Sequence, residues 1–345
     1  MKDSSKVTNK LRDMAGRVTP CAPSKDAARA CGAHGVTRPT RALAGVAKPL
    51  CRGIRSQGPS SRKVPSAKHQ KLGLHWALGF GIWSVLSAPS LVLADEGLVL
   101  NWTNNLLTIS SPKLPGGQLD IWYLEAFCRK GSTHRDWSRT TLPHKTVLLS
   151  GDQHHLRFRT MVQPEVEVLH DVDARIDEVE FKFELHNRGS EPADLEWFQP
   201  ACIRAERFTG RGQTNYLSRS FIFTGRGLTS LDRTRRREEA LYRGGQVYVP
   251  KGIDLEDVNP RPISPDQPVN GLIGCFSADG KYLLATAFDR TQELFQGVNV
   301  CLHSDPRVGG LAAGETKLIH GKLYLLKNDV QGLLSRYRKD FPEIK

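Results

Sequence analysis

Glu178-Val-Glu-Phe-Lys-Phe-Glu-Leu-His186, EVEFKFELH, decides the fold class. Val179, Phe181, Phe183 and Leu185 alternate with Glu178, Glu180, Lys182, Glu184 and His186. A period of two puts the first set on a buried face and the second in water, which is the pattern of a strand with one wet side. The strand stops at Asn187-Arg188-Gly189-Ser190, a turn, and Leu195–Ile203 starts the return.

Outward from this strand the chain reads the same way. Toward the N-terminus, Leu98–Ile109, Leu119–Phe127, Thr146–Leu149, Leu156–Met161 and Glu165–His170 are strand candidates, rich in β-branched and aromatic residues and punctuated by Gly, Pro, Ser and Asp. Toward the C-terminus, Gly271–Phe276, Tyr282–Ala287, Gly297–Leu302 and Thr316–Leu326 follow. Asn328 or Asp329 can cap a final helix that carries Val330, Leu333, Leu334 and Tyr337 on one face. Residues 205–265 read as long loops around short strands, with two TGRG strings bracketing a strand at Tyr216–Phe223. No G-x-G-x-x-G, no Walker loop and no βα alternation occurs. The expected fold is all-β, a large antiparallel β-sandwich with a short C-terminal helix behind a disordered N-terminal leader.

The formal charge of +13 invites a nucleic-acid role until the charges are located. Residues 1–71 hold 16 Lys and Arg against 3 Asp and Glu, and the remainder holds 33 of each. The whole excess belongs to the leader, so the domain lacks the basic surface that phosphate neutralisation needs, and no nucleic-acid partner is expected. Residues 1–71 show no apolar period and are expected to be disordered. Residues 72–94 follow as LGLHWALGFGIWSVLSAPSLVL and Ala94, after Lys68 and Lys71. This is the basic flank, apolar core and small-residue exit of a signal peptide cleaved after Ala94. The alternative is a membrane anchor, since residues 72–93 are long enough to span a bilayer. His75, three glycines and Pro89 weigh against it. The expected location is outside the cytoplasm: periplasmic, cell-surface or extracellular. Residues 95–345 form the domain.

Four cysteines lie in that domain: Cys128, Cys202, Cys275 and Cys301. Their spacing matches no zinc pattern, so neither a metal nor a cofactor is expected. Buried free thiols and one disulfide are both open. If there is a bond, Cys275–Cys301 is the expected pair, because their strands are close in the chain.

Three stretches carry a family likeness: Val179–Glu196, ATAFDRTQELFQGVNVCLHSDPRVGG at 285–310, and GETKLIHGKLYL at 314–325. Together they resemble the two-sheet sandwiches of the galactose mutarotase-like superfamily, and the mature chain looks like secreted bacterial proteins of that make. The resemblance implies a supersandwich over roughly residues 97–327 and, for an enzyme, a catalytic His and a carboxylate on the concave sheet. Such sandwiches also serve as non-catalytic modules, so fold alone does not assign activity.

The residues that suit sugar chemistry fall in two groups. Glu293, Gln296, His303, Asp305 and Arg307 could meet at one mouth of a hairpin. His303 and Asp305 are two apart and share a side of an extended chain, and an unperturbed histidine has its pKa near neutrality, so His303, Asp305 and Glu293 are the candidate catalytic residues. Between Trp122 and His144, the residues Trp122, Glu125, Arg129, His134 and Trp137 supply flat faces for pyranose stacking and charges for hydroxyls. With Gln296 and Arg307 they are the candidate substrate-binding residues. The expected partner is a carbohydrate or cell-wall polymer, with membrane contact only through residues 72–93 if uncleaved. The expected function is an exported carbohydrate-binding or carbohydrate-active sandwich, performing proton transfer on a sugar if it is an enzyme. The alternative is a non-catalytic secreted or cell-surface interaction module.

Overall fold

The structure is a computed structural model that describes residues 97–342. The leader, the segment 72–94 and the proposed cleavage site lie outside the described residues. In chain order the strands are β1 Val99–Thr103, β2 Leu106–Ser110, β3 Gln118–Cys128, β4 Thr141–Leu142, β5 His144–Gly151, β6 His155–Val162, β7 Val166–Ala174, β8 Glu178–Asn187, β9 Trp197–Arg204, β10 Ser220–Thr224, β11 Gly227–Ser230, β12 Gly245–Tyr248, β13 Pro268–Phe276, β14 Tyr282–Phe288, β15 Thr291–Gly297, β16 Cys301–Pro306 and β17 Thr316–Lys327. They form two antiparallel sheets. The first runs β1-β2-β3-β9-β16-β15-β12, with β4 on the end of β3. The second runs β11-β10-β13-β14-β17-β8-β7-β6-β5. A helix at Val330–Asp340 closes the described chain, capped by the Asp329 side chain on the Gly332 amide. The all-β sandwich expected from the alternation at β8 is the observed fold.

β8 lies deep in the second sheet, between β17 and β7. Val179, Phe181, Phe183 and Leu185 are fully buried in the core between the sheets, while Lys182 and Glu184 are exposed. Facing them from the first sheet are Ile121, Tyr123, Phe198, Ala201 and Leu302. Phe183 meets Phe198 edge-on at 5.2 Å, so the two sheets are joined through aromatic contacts at their centre. His170 on β7 is buried in the same layer, stacked on Phe158 at 5.0 Å. Its Nδ1 lies 2.7 Å from the Tyr123 hydroxyl and its Nε2 3.0 Å from Thr160 Oγ1.

Several local expectations are corrected. The single strand Leu98–Ile109 is a hairpin, β1 and β2, turning at Asn104 and Asn105, whose φ angles are 50° and 66°. Two successive left-handed residues make the primed turn that matches strand twist, and Asn tolerates that conformation. The strand expected at Tyr216–Phe223 is a helix over Gln213–Arg219 followed by β10. Tyr216 is buried and its hydroxyl donates to the Cys301 carbonyl, a tertiary contact that overrides local preference. Gly297–Leu302 is the turn between β15 and β16, with its ends in each strand. Asp171 and Asp173 stand on β7, where Asp173 lies 2.7 Å from His155 Nδ1. Cys275 is on β13 of the second sheet and Cys301 on β16 of the first, so the expected pair is not made. All four domain cysteines are buried, and none is in a disulfide. Among the described residues no helix is long and apolar enough to cross a membrane. That gives the anchor alternative no support within them, and residues 72–93, on which it rested, lie outside them.

Candidate functional site

The first sheet has a second buried face, turned away from the sandwich core. On β15 and β16, Leu294 and Leu302 point into the core, and alternation sends Glu293, Phe295, Cys301, His303 and Asp305 the other way. Glu293 pairs in register with Asp305, and Phe295 with His303. On β9 the outward residues are Trp197, Gln199 and Cys202. The register of β3 slips between Tyr123 and Ala126, with Leu124 at φ 53°. This bulge puts both Tyr123 and Leu124 in the core and turns Glu125 to the outer face.

The result is a closed ionisable cluster. His303, Asp305 and Glu293 have no exposed surface, and the Glu125 side chain is 1% exposed. His303 Nδ1 is 3.6 Å from Asp305 Oδ1, and His303 Nε2 is 3.7 Å from Glu125 Oε2. Both distances suit an ion pair but not a hydrogen bond. Gln199 Nε2 donates to Asp305 Oδ2 at 3.1 Å, and the Asn259 amide donates to Glu293 Oε2 at 2.7 Å. Phe295 stands edge-on to His303 at 5.2 Å. The other oxygens, Glu293 Oε1 and Asp305 Oδ1, make no hydrogen bond, nor does either His303 ring nitrogen. So many unsatisfied atoms in one buried spot are unusual for a folded protein.

Charge and burial set the protonation states. Burial, and then the charge of Asp305, hold the Glu293 carboxyl well above its ordinary range. Burial also raises Asp305, against the pull of His303 and the Gln199 hydrogen bond. Burial works to lower the His303 imidazole, but the Asp305 carboxylate beside it outweighs that, and His303 stands well above its ordinary value. Glu293 therefore keeps its proton, and His303 its charge, to higher pH than either group does in water, with Asp305 between them in one coupled cluster away from solvent.

A cover of two loops closes this face. Residues 129–140 and 249–265 are tied together by Gly131 N to Asp257 Oδ1 at 2.6 Å, Ser132 Oγ to Val258 O at 2.9 Å and Thr133 Oγ1 to Leu255 O at 2.6 Å. They are tied to the sheet by Trp197 Nε1 to Ser132 Oγ and by Gln292 Nε2 to Asp257 O. The mouth expected from the sequence is therefore roofed. A cavity of about 1270 Å³ opens where the 249–265 loop leaves the sheet, lined among others by Lys251, Ile253, Asp289, Arg290 and Thr291.

The structure brings Glu293, His303, Asp305 and Glu125 together, and moves Glu125 from the expected sugar-contact set into the ionisable cluster. Trp122, half-buried, pairs in register with Cys202 and lies under the Arg204 guanidinium at 4.7 Å. Trp137 packs on Trp197 at 6.4 Å, with Ala126 and Cys128. The two tryptophans thus flank the cluster. The remaining residues stand apart from it. Gln296 is buried and donates to the Gly297 carbonyl. Arg307 pairs with Glu196 and reaches Gln292 Oε1. His134 is exposed on the cover and pairs with Glu256 at 2.7 Å, and Arg129 sits at the cover's base, its amide bonded to Thr140 O. Trp197 faces this outer layer, and Phe198 takes the core position. Sequence reasoning missed the Asn259 amide, which reaches the site only through the fold of the cover, and the approach of Cys202 and Cys301 to His303.

No family model matches the chain, and no curated protein matches it. Solved structures do. The Slr1438 protein of Synechocystis sp. PCC 6803 is 10% identical over 68% of this chain and 96% of its own, with a TM-score of 0.37. A galactose mutarotase-like protein of Clostridium acetobutylicum is 11% identical over 67% of this chain and 95% of its own, with a TM-score of 0.36. A galactose mutarotase-like protein of Lactobacillus casei is 9% identical over 66% and 100%, with a TM-score of 0.35. The second and third of these carry the name of the superfamily that the sequence resembles. At such identities and scores the likeness carries no weight for substrate or residue roles, which rest on this chain's own geometry.

Proposed function

We propose that this protein is an exported carbohydrate-active sandwich that moves protons on a sugar at the outer face of its first sheet, with Glu293 as acid and Asp305 as base. The observation that carries the reading is the pairing of these carboxyls across β15 and β16, both fully buried and both raised, with a hydrogen-bond position open on each. Ring opening, epimerisation or glycosidic cleavage needs one group to give a proton to a sugar oxygen and another to take one. His303 stands beside Asp305 and favours its charged form, and Trp122 and Trp137 would supply the flat faces for a pyranose to stack on. A sugar enters when the cover of residues 129–140 and 249–265 lifts, a gating step of a common kind.

The test is a screen of reducing monosaccharides and short oligosaccharides for binding, anomer interconversion and cleavage. Glu293→Gln and Asp305→Asn should each lower the rate about 100-fold or more, the usual size of an acid–base contribution. Glu184→Gln, on the exposed face of β8, should leave it unchanged. Binding of no sugar at all, or full activity in both site variants, would refute the reading and favour the non-catalytic interaction module. Export is tested separately by mass spectrometry of protein recovered outside the cytoplasm. An N-terminus at or near Asp95 is expected, and a full-length membrane-bound chain would support the anchor instead.

A further inference from the structure

From the geometry of Cys202, Cys301 and His303 we infer a second property of this face: a zinc site that staples β9 to β16. One ligand atom from each of the three lies within 4.8 Å of the other two, and all three residues are fully buried. The register explains the meeting. Leu302 pairs with Ile203 and Cys301 with Arg204, so the next residues along, His303 and Cys202, come abreast on the outer face. Gly297 is the partner of Cys301 on β15, and a Cβ there would stand 2.4 Å from the Cys301 sulfur. The glycine keeps room for the thiol.

Zinc bonds to sulfur at about 2.3 Å and to imidazole at about 2.0–2.1 Å, so tetrahedral ligand atoms sit roughly 3.4–3.8 Å apart. From separations of up to 4.8 Å the atoms need to close by at most about 1.0–1.4 Å, which side-chain rotation supplies. Two further observations mark the imidazole. Neither buried ring nitrogen has a partner at full hydrogen-bond distance, and the groups set against the ring are the Asp305 carboxylate and the Cys301 thiol. Nδ1 faces Asp305 at 3.6 Å, and a carboxylate in that place is the usual outer partner of a metal-bound histidine. Glu125, with Oε2 at 3.7 Å from Nε2, is the nearest carboxylate for the fourth position. Two thiolates and an imidazole select zinc over magnesium or calcium. No short spacing marks this site in the chain, because 99 residues separate Cys202 from Cys301. The two readings meet at His303: zinc takes the neutral imidazole, the metal then supplies the positive charge near Asp305 in place of a ring proton, and Glu293 and Asp305 remain the proton-handling pair.

The test uses the full chain purified without chelator. Metal analysis should find about one zinc per chain, and cobalt exchanged into the site should give a thiolate-to-cobalt charge-transfer band. Chelation after partial unfolding should lower the thermal midpoint, and zinc should restore it. Cys202→Ser and Cys301→Ser should each lose the zinc and the cobalt band, while Cys275→Ser on the second sheet should keep both. Wild-type protein free of zinc with all its thiols titratable on denaturation would overturn the proposal in favour of plain buried thiols. Zinc-free protein lacking two thiols would overturn it in favour of a Cys202–Cys301 disulfide. Either result leaves the Glu293 and Asp305 experiment untouched.

Discussion

Replacing Phe183 with Ala should lower the unfolding free energy by about 3–5 kcal/mol, the cost of emptying a large aromatic site in a packed core. Phe183 is 1% exposed and packs between Phe198 of the first sheet at 5.2 Å and His170 of its own sheet at 5.5 Å. Phe288 closes the site at 6.3 Å. Rings from both sheets hold one another here, so the surroundings cannot collapse into the space without drawing the sheets together. Domains of ordinary stability have about 5–15 kcal/mol to lose, so the variant should unfold at much lower denaturant. Lys182→Ala, one residue away on the wet face, should change stability by less than about 0.5 kcal/mol. Denaturant titration of the two variants checks the face assignment, and a loss below about 1 kcal/mol for Phe183→Ala would reverse it.

Acid should destabilise the fold through His170. Burial pushes its imidazole down from 6.5 to about 3. The folded value is below the unfolded one, so the unfolded chain takes a proton first as pH falls. Stability from the neutral ring is present above about pH 6.5 and drains away down to about pH 3. Between pH 7 and pH 4 the linkage amounts to about 3 kcal/mol. The neutral ring is held by the Tyr123 hydroxyl at 2.7 Å and Thr160 Oγ1 at 3.0 Å, so an imidazolium would face hydroxyl partners and no carboxylate hydrogen bond. In His170→Gln, stability at pH 7 should drop, but the difference from wild type should shrink by about 3 kcal/mol by pH 4. Parallel stability curves for the two proteins would show that His170 is not buried neutral.

What the sequence made legible follows from which groups touch water. β8 was readable because one face is wet, so its alternation is printed in the residues. The side shared by His303 and Asp305 was readable for the same geometric reason, although both faces of β16 are buried and its composition alternates little. The β1–β2 hairpin was hidden inside one apolar run, where only Asn104-Asn105 marks the turn. Glu125 was named as a sugar contact because of its neighbours. Its place beside His303 depends on the bulge at Leu124, a positive φ that no residue type announces. Cys202 and the Asn259 amide reach the site through register and loop packing across long stretches of chain, which periodicity does not encode. The roof over the site was equally invisible, since it depends on hydrogen bonds between two loops far apart in sequence.

The most direct measurement is a crystal structure of the protein with the reducing monosaccharide that binds most tightly in the screen. The account predicts the 249–265 loop lifted and the sugar on the outer face of the first sheet. O1 or the ring oxygen should lie within hydrogen-bond reach of Glu293 and Asp305, with Trp122 or Trp137 against the ring. A sugar seated in the cavity beside Lys251 and Arg290, with Glu293 still held by the Asn259 amide under a closed cover, would contradict it.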